Sequence, residues 1–158
     1  MIQQGRGLTR RAGMLFALAI VAMATVACGG DDDAGGGDGS VAIELQEWAV
    51  AADPSTASAG AVTFSVDNVG AEVHEFVVIA TDLGPTELPT EDDGSVSETG
   101  EGMEVVDEIE DIPAGDSQEL EVDLEAGSYL LICNIVEEED GEVESHYQMG
   151  MRSSFTVE

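Results

Sequence analysis

Residues 127–133 read GSYLLIC, from Gly127 to Cys133, and this stretch decides the fold of the chain. Ala126 and Gly127 predict a turn, and the apolar run after them predicts a central, buried strand. The strand ends in a cysteine. Any chemistry that Cys133 performs is therefore expected at the end of a β-sheet.

Short stretches on both sides of this run also have the pattern of strands. Val41, Ile43 and Leu45 alternate with other residues, which is typical of a half-buried strand. Further strand signals lie in residues 62–66, 76–79, 105–109, 120–124 and 153–157. Turn residues separate them and no helix of standard length is evident, so the sequence predicts an all-β sandwich. Residues 81–103 lack periodicity and are expected to form a long exposed loop.

The charge of the chain is strongly negative. It has 34 acidic residues against 4 Lys and Arg, with a formal net charge of −30. Three of the four basic residues lie in the first eleven positions, and Arg152 is the only one after them. Such a chain repels phosphate backbones, which excludes nucleic-acid binding. It is compatible with a positively charged partner or with a saline environment.

The first 27 residues have the pattern of an export signal. Arginines precede Met14–Ala27, an apolar run of fourteen residues that is typical of a signal-peptide core. The run closes on Thr25-Val26-Ala27-Cys28, which resembles a bacterial lipobox, where the cysteine is lipidated. We expect a lipoprotein signal peptide over residues 1–27 and lipidation of Cys28. The alternative is an ordinary secretory signal with a chance cysteine at its end.

Residues 28–40 are rich in Gly and Asp and are expected to form a flexible tether, because these residues cannot bury apolar area. A single folded domain is then expected over residues 41–158. The protein would be extracytoplasmic and attached to the cell membrane through its lipid anchor only.

Lipidation of Cys28 would leave Cys133 as a lone thiol in an oxidising compartment. A free thiol there is oxidised unless it is buried or bound. Cys133 is thus either a small buried hydrophobic residue or a metal thiolate, and its neighbours must decide between the two.

The order of His74, Cys133, His146 and Met151 resembles that of the cupredoxins, the plastocyanin and azurin type of blue-copper protein. The resemblance covers roughly residues 41–158. Its most specific parts are Tyr129 four positions before Cys133 and a methionine at the fifth position after His146. The stretch NVGAEVHEFVV, residues 68–78, is also similar to the first-ligand strand of the family.

The resemblance implies a cupredoxin-like Greek-key β-sandwich of about seven to eight strands that binds one copper ion. His74, Cys133 and His146 would be equatorial ligands and Met151 the axial ligand, with Met149 as a competing axial candidate. Two imidazoles, one thiolate and a weak thioether suit both Cu(I) and Cu(II). Little rearrangement is then needed when an electron is transferred.

Two features depart from the family pattern. Twelve residues, Asn134–Ser145, separate Cys133 from His146 where the family has only a few. This acidic loop is expected to bulge out through Gly141 and to return His146 to the same end. Glu75 stands where the family often has an Asn that supports the thiolate, so that support is expected from the backbone or from Asn134.

The expected function is that of a single-electron carrier, not an enzyme, acting as a monomer with a redox partner that has a basic surface. His146 is expected near the surface, as the point where electrons enter or leave. Two alternatives remain: a copper-sequestering or copper-delivering lipoprotein, and a metal-free interaction module of cupredoxin fold. Multicopper oxidases and zinc hydrolases need more His or Cys than this chain has. A Cys133–His146 nucleophile pair lacks a recognisable sequence context.

Overall fold

The computed structural model describes residues 39–139 and 141–158, apart from the side chain of Glu139. The predicted signal peptide, Cys28 and nearly all of the predicted tether lie outside these residues. In the described part, no helix is long and apolar enough to cross a membrane.

Within the described residues the chain forms eleven strands and one short helix. The strands are β1 (Ser40–Gln46), β2 (Ala49–Asp53), β3 (Thr56–Ala57), β4 (Gly60–Asn68), β5 (His74–Thr81), β6 (Met103–Ile112), β7 (Ser117–Leu124), β8 (Gly127–Ile132), β9 (Val136–Glu139), β10 (Glu142–Ser145) and β11 (Arg152–Val157), and the helix is α1 (His146–Met149).

Nine strands make two sheets, and the other two make a hairpin. The first sheet has the order β2-β1-β4-β7, and the second has the order β3-β11-β8-β5-β6. Strand β1 runs parallel to β4, whereas β8 is antiparallel to both of its neighbours. The predicted all-β sandwich is confirmed. It has more strands than the predicted seven to eight because β3 is only two residues long and because β9 and β10 pair with each other.

The main core lies between the two sheets. Val41, Ile43 and Leu45 are fully buried while their neighbours in β1 are exposed, as the alternation predicts. The ring of Phe64 in the first sheet contacts Phe76 and Phe155 in the second, with centroids 5.3 and 5.4 Å apart. These aromatic contacts join the two layers, so the ends of the second sheet are held on a packed support.

The outer face of the second sheet is covered as well, and this explains why β5 and β8 have apolar runs in place of alternation. Leu88 and Val96, in the segment after β5, pack there against Val77 and Leu130. The prediction of an exposed loop over residues 81–103 is therefore wrong for Leu88 and Val96. They are isolated apolar residues in a polar segment, and only the sheet opposite them makes their burial favourable.

The acidic segment between Cys133 and His146 forms the β9–β10 hairpin, where the sequence predicts only a bulging loop. Gly141 has a φ of 84°, so it adopts the left-handed conformation that a tight turn requires. Helix α1 begins directly after β10, and the Oγ atom of Ser145 caps it by accepting the N–H of Gln148 at 3.2 Å.

Candidate metal centre

Three predicted ligands meet at one end of the second sheet. His74 is the first residue of β5, Cys133 directly follows β8, and His146 is the first residue of α1. Strands β5 and β8 are antiparallel neighbours, so the beginning of one lies beside the end of the other. All three side chains are fully buried.

Two backbone hydrogen bonds return the chain to this end after the long hairpin. The N–H of His146 donates to the carbonyl of Ile135 at 2.9 Å, and the N–H of Cys133 donates to the carbonyl of Met151 at 3.1 Å. They close the base of the hairpin. The extra residues therefore do not displace His146 from the ligand end.

The ligand atoms of these residues converge. The Nδ1 atom of His146 lies 3.3 Å from the Sγ atom of Cys133 and 3.3 Å from Nδ1 of His74, and the latter lies 4.0 Å from Sγ. Around one ion in a trigonal plane, two nitrogens would be about 3.5 Å apart, and sulfur and nitrogen about 3.7 Å. The arrangement thus fits a single metal ion held by two imidazoles and one thiolate.

The protonation of the metal-free site follows from its burial. Burial is the main cause that lowers the pKa of His74 and of His146, while the carboxylates of Glu47 and Glu137 oppose this shift. Both imidazoles are then neutral, which is the form that binds metals. Burial also raises the pKa of Cys133 to about 11, although the N–H groups of Glu75 and Ile135 oppose it. A metal ion must therefore displace the thiol proton.

Support for the sulfur comes from the backbone. The N–H of Glu75 donates to Sγ of Cys133 at 3.3 Å. Asn134, the other predicted source, acts elsewhere: its side chain accepts the N–H of Val96 at 2.6 Å and donates to the carbonyl of Val96 at 3.1 Å. Asn134 thus fastens the segment that covers the second sheet to the ligand end.

The two methionine candidates differ sharply in burial. Met151 is fully buried in the same core cluster as Cys133, whereas the side chain of Met149 is 48% exposed. Gly150 lies between them with a φ of 129°, and a Cβ atom there would be 3.0 Å from the carbonyl oxygen of Trp48. Only glycine fits this turn without strain, and the turn directs the chain inward at Met151. Burial therefore favours Met151 as the axial candidate.

Solved structures share the fold that the ligand order of this chain indicates. Auracyanin from Roseiflexus castenholzii, solved in its dithionite-reduced state, is similar over 78% of this chain and 99% of its own, with a TM-score of 0.52 and 19% identity. The chain has the cupredoxin fold. An azurin from Methylomonas sp. strain J is similar over 77% of this chain and 98% of its own, with a TM-score of 0.50 and 14% identity.

In sequence, the chain matches no protein-family model and no curated protein. The structure therefore reveals the cupredoxin fold and the His–Cys–His cluster, whereas overall sequence similarity does not. They confirm the resemblance that the ligand order suggested.

In this cupredoxin fold, a carboxylate lies beside the outer ring nitrogen, Nε2, of the first histidine. Oε1 of Glu47 lies 3.5 Å from Nε2 of His74, and it accepts the N–H groups of Ala71 at 2.7 Å and Glu72 at 2.9 Å. A Cβ atom on Gly70 would lie 2.6 Å from that oxygen and 2.9 Å from Nε2, so glycine is needed for the close approach. With Nε2 facing a carboxylate, the ring is oriented with Nδ1 toward the sulfur.

The second histidine is held through its neighbours in α1. The hydroxyl of Tyr147 donates to the carbonyl of Pro85 at 3.0 Å. The guanidinium of Arg152 donates to the carbonyl of Tyr147 and stacks over its ring, 5.1 Å from the centroid. The ring of Trp48 meets His146 edge-on at 5.2 Å. The only basic side chain that follows the first eleven residues thus fixes the segment that carries His146.

The ring of His146 itself is fully buried, with the ring of Trp48 edge-on to it, and its role as the point where electrons enter or leave stays a prediction. Its Nε2 atom lies 3.8 Å from a carboxylate oxygen of Glu72, whose side chain is 39% exposed. Glu47 and Glu72 are neighbours of the site that the sequence does not predict. Nothing in a chain with 34 acids distinguishes these two from the others.

Proposed function

We propose that this protein binds one copper ion through His74, Cys133, His146 and Met151 and passes single electrons, without acting as an enzyme. The observation that carries the proposal is the convergence of two Nδ1 atoms and one Sγ atom within 4.0 Å of one another in a fully buried site. Copper would supply the change between Cu(II) and Cu(I).

The residues of the site suit electron transfer because they are held before any metal binds. His74 and Cys133 are fixed by neighbouring strands, and Glu47 and the N–H of Glu75 orient the ring and the sulfur. Because the ligands cannot relax toward the preferred geometry of either oxidation state, the structural change that accompanies electron transfer stays small.

The surface supports a protein partner of opposite charge. Arg152 is the only basic residue of the described segments, and its guanidinium is already engaged by Tyr147. Apolar side chains are exposed in the segments next to the ligands: Val69, Val73 and Met149. We propose that a redox partner with a basic surface docks at this end. Its transfer rate should fall as salt is added, and a rate that does not depend on salt would contradict this docking.

The proposal includes the location of the protein in the cell. The leader with its apolar run, and Cys28 at the end of that run, support an exported lipoprotein whose domain acts at the outer face of the cell membrane. Labelling of Cys28 with a radioactive fatty acid in the native host, with Cys28→Ala as control, tests this part separately.

A copper titration of the full chain tests the site. We expect an intense thiolate-to-copper absorption band that saturates at one equivalent and is absent in Cys133→Ser. Copper that stays bound through a cycle of reduction and reoxidation supports an electron carrier, whereas copper lost on reduction contradicts one. The absence of both the band and stoichiometric binding would overturn the proposal.

A further inference from the structure

The outer nitrogen of His146 is one of two buried imidazole nitrogens without a hydrogen-bond partner among the described residues, and the other belongs to His74. The ring is fully buried, and its Nδ1 atom faces the sulfur of Cys133. Its Nε2 atom points the other way and has no hydrogen-bond partner among the described residues. The atom found near it is Oε2 of Glu72, at 3.8 Å. A buried imidazole nitrogen that faces a carboxylate without bonding to it is a candidate ligand for a cation.

Glu137 completes a group of three at this place. One carboxylate oxygen each from Glu72 and Glu137 and one nitrogen of His146 all lie within 4.8 Å of one another. Two ligands that are each about 2.1 Å from a common ion can be at most about 4.2 Å apart. A shift of less than about 1 Å would therefore bring all three atoms to one ion. Glu137 is exposed and Glu72 is half-buried, so the group lies between the buried ring of His146 and the protein surface.

Part of this group is already fixed in place. The backbone of Glu72 is held on both sides, because its N–H donates to Glu47 at 2.9 Å and its carbonyl accepts Nδ2 of Asn68 at 2.8 Å. Glu137 is the direct cross-strand partner of Glu144 in the hairpin, which places two like charges side by side. A cation at Glu137 would offset that repulsion.

We infer that the copper-free protein binds one divalent cation of the zinc and cobalt class through Glu72, Glu137 and Nε2 of His146. One imidazole nitrogen and two carboxylates are ligands that such borderline cations accept, and the two carboxylates neutralise the charge of the ion. This outer site is distinct from the inner site, which uses Nδ1 of His146 together with Cys133.

The two sites share one imidazole and therefore compete. In the outer-bound form the ring keeps its proton on Nδ1, facing the thiol. Copper at Nδ1 requires that proton to leave, and the neutral ring then carries its proton on Nε2, so that a cation there must displace a second proton. The competition rests on the proposed copper function, whereas the outer site itself does not.

A cobalt titration tests the outer site. The probe is Co²⁺, added to the copper-free full chain with Cys133→Ser, so that the thiolate of the inner site does not contribute. We expect one equivalent to bind, and the double variant Glu72→Gln/Glu137→Gln to bind at least about tenfold more weakly. The matched control is Glu119→Gln/Glu121→Gln, two exposed acids of β7 in the other sheet, which removes the same charge and should change the affinity less than about twofold. Equal weakening in both double variants, or no stoichiometric binding, would overturn the inference.

A second measurement does not depend on these substitutions. In Cys133→Ser protein with ¹⁵N-labelled histidine, Zn²⁺ should shift the Nε2 resonance of His146, and a shift at Nδ1 instead would contradict the outer site. In the unsubstituted chain, one equivalent of Cu(I) should release bound Co²⁺. If Cu(I) fails to bind while Co²⁺ still requires Glu72 and Glu137, the copper proposal fails and the outer site stands.

Discussion

The two histidines of the candidate metal centre are equally buried, but different kinds of structure hold them. His74 opens β5, which is hydrogen-bonded to β6 on one side and to β8 on the other. His146 lies in a single helical turn after an acidic hairpin, and contacts of Tyr147 and Arg152 fasten that turn. The first histidine is thus positioned by a backbone ladder, and the second by a few side chains.

This difference predicts where single substitutions act. Ladder hydrogen bonds are spread over many residues, so the His74 side should keep its structure when one side chain changes. The His146 side depends on individual contacts, so a single change there should reduce the stability of the whole domain.

The largest effect is expected from Met151→Ala, on the His146 side. Met151 is fully buried in the main core, so its truncation should lower the free energy of unfolding by about 2–5 kcal/mol. Urea unfolding of the copper-free chain measures this. Met149→Ala is the matched control at an exposed site, and we expect a change within about 0.5 kcal/mol. Equal costs for the two variants would remove the distinction between them.

The next largest effect is a change in the free energy of unfolding with pH, caused by a residue on the His74 side. Burial, followed by the charges of Glu108, Glu98 and Glu110, raises the pKa of Glu75 from 4.5 to about 7. Because the folded state holds this proton more tightly, the stability contribution of Glu75 is full below pH 4.5 and is lost as the pH rises through 7. Glu75→Gln should therefore be more stable than the parent above pH 7, by at most about 3 kcal/mol.

The measurement is urea unfolding of both copper-free proteins at several pH values from 4.5 to 8. The difference between them should widen across that range and then stay constant. A difference that does not change with pH would mean that Glu75 is not responsible. The backbone N–H of Glu75, which supports the sulfur, is the same in both proteins.

A third test loosens the ring of His74 and leaves its strand intact. Glu47→Ala removes the carboxylate beside Nε2, and we expect copper affinity to fall about 10- to 100-fold. Competition with a copper chelator gives the affinity. Glu47→Gln can still accept the N–H groups of Ala71 and Glu72 and should recover part of the loss. Unchanged affinity in Glu47→Ala would show that the ladder alone positions His74.

The smallest effect is expected from Tyr147→Phe. This change removes one hydrogen bond, from the hydroxyl to the carbonyl of Pro85, and leaves the ring under Arg152. The free energy of unfolding should fall by about 1 kcal/mol. Thermal unfolding followed by circular dichroism checks it. A neutral result would assign the fastening of α1 to Arg152 alone.

The sequence predicts the parts of this molecule that follow a regular pattern. The alternation of Val41, Ile43 and Leu45 predicts β1, and the apolar run before Cys133 predicts a strand covered on both faces. Histidine and cysteine are so rare in this chain that their order alone points to the site. Met151 as the axial ligand and lipidation at Cys28 stay predictions.

The parts that escape prediction depend on contacts between distant residues. Leu88 and Val96 lie in a segment without periodicity, and they are buried only because an apolar sheet face lies opposite. The hairpin at 136–145 is rich in acids that disfavour strands, and it forms because its two ends are tied beside Cys133. Glu47 is one acid among 34, and only its position behind His74 sets it apart.

Arg152 also determines where trypsin can cleave this domain. Trypsin cuts after Lys and Arg, and beyond Arg11 the chain offers it one such bond, between Arg152 and Ser153. That bond lies at the start of β11, which pairs with β8, and the Arg152 side chain is engaged with Tyr147. Cleavage there requires the end of the sheet beside His146 to open. The rate at which trypsin releases the last six residues therefore reports how readily the metal-bearing end opens.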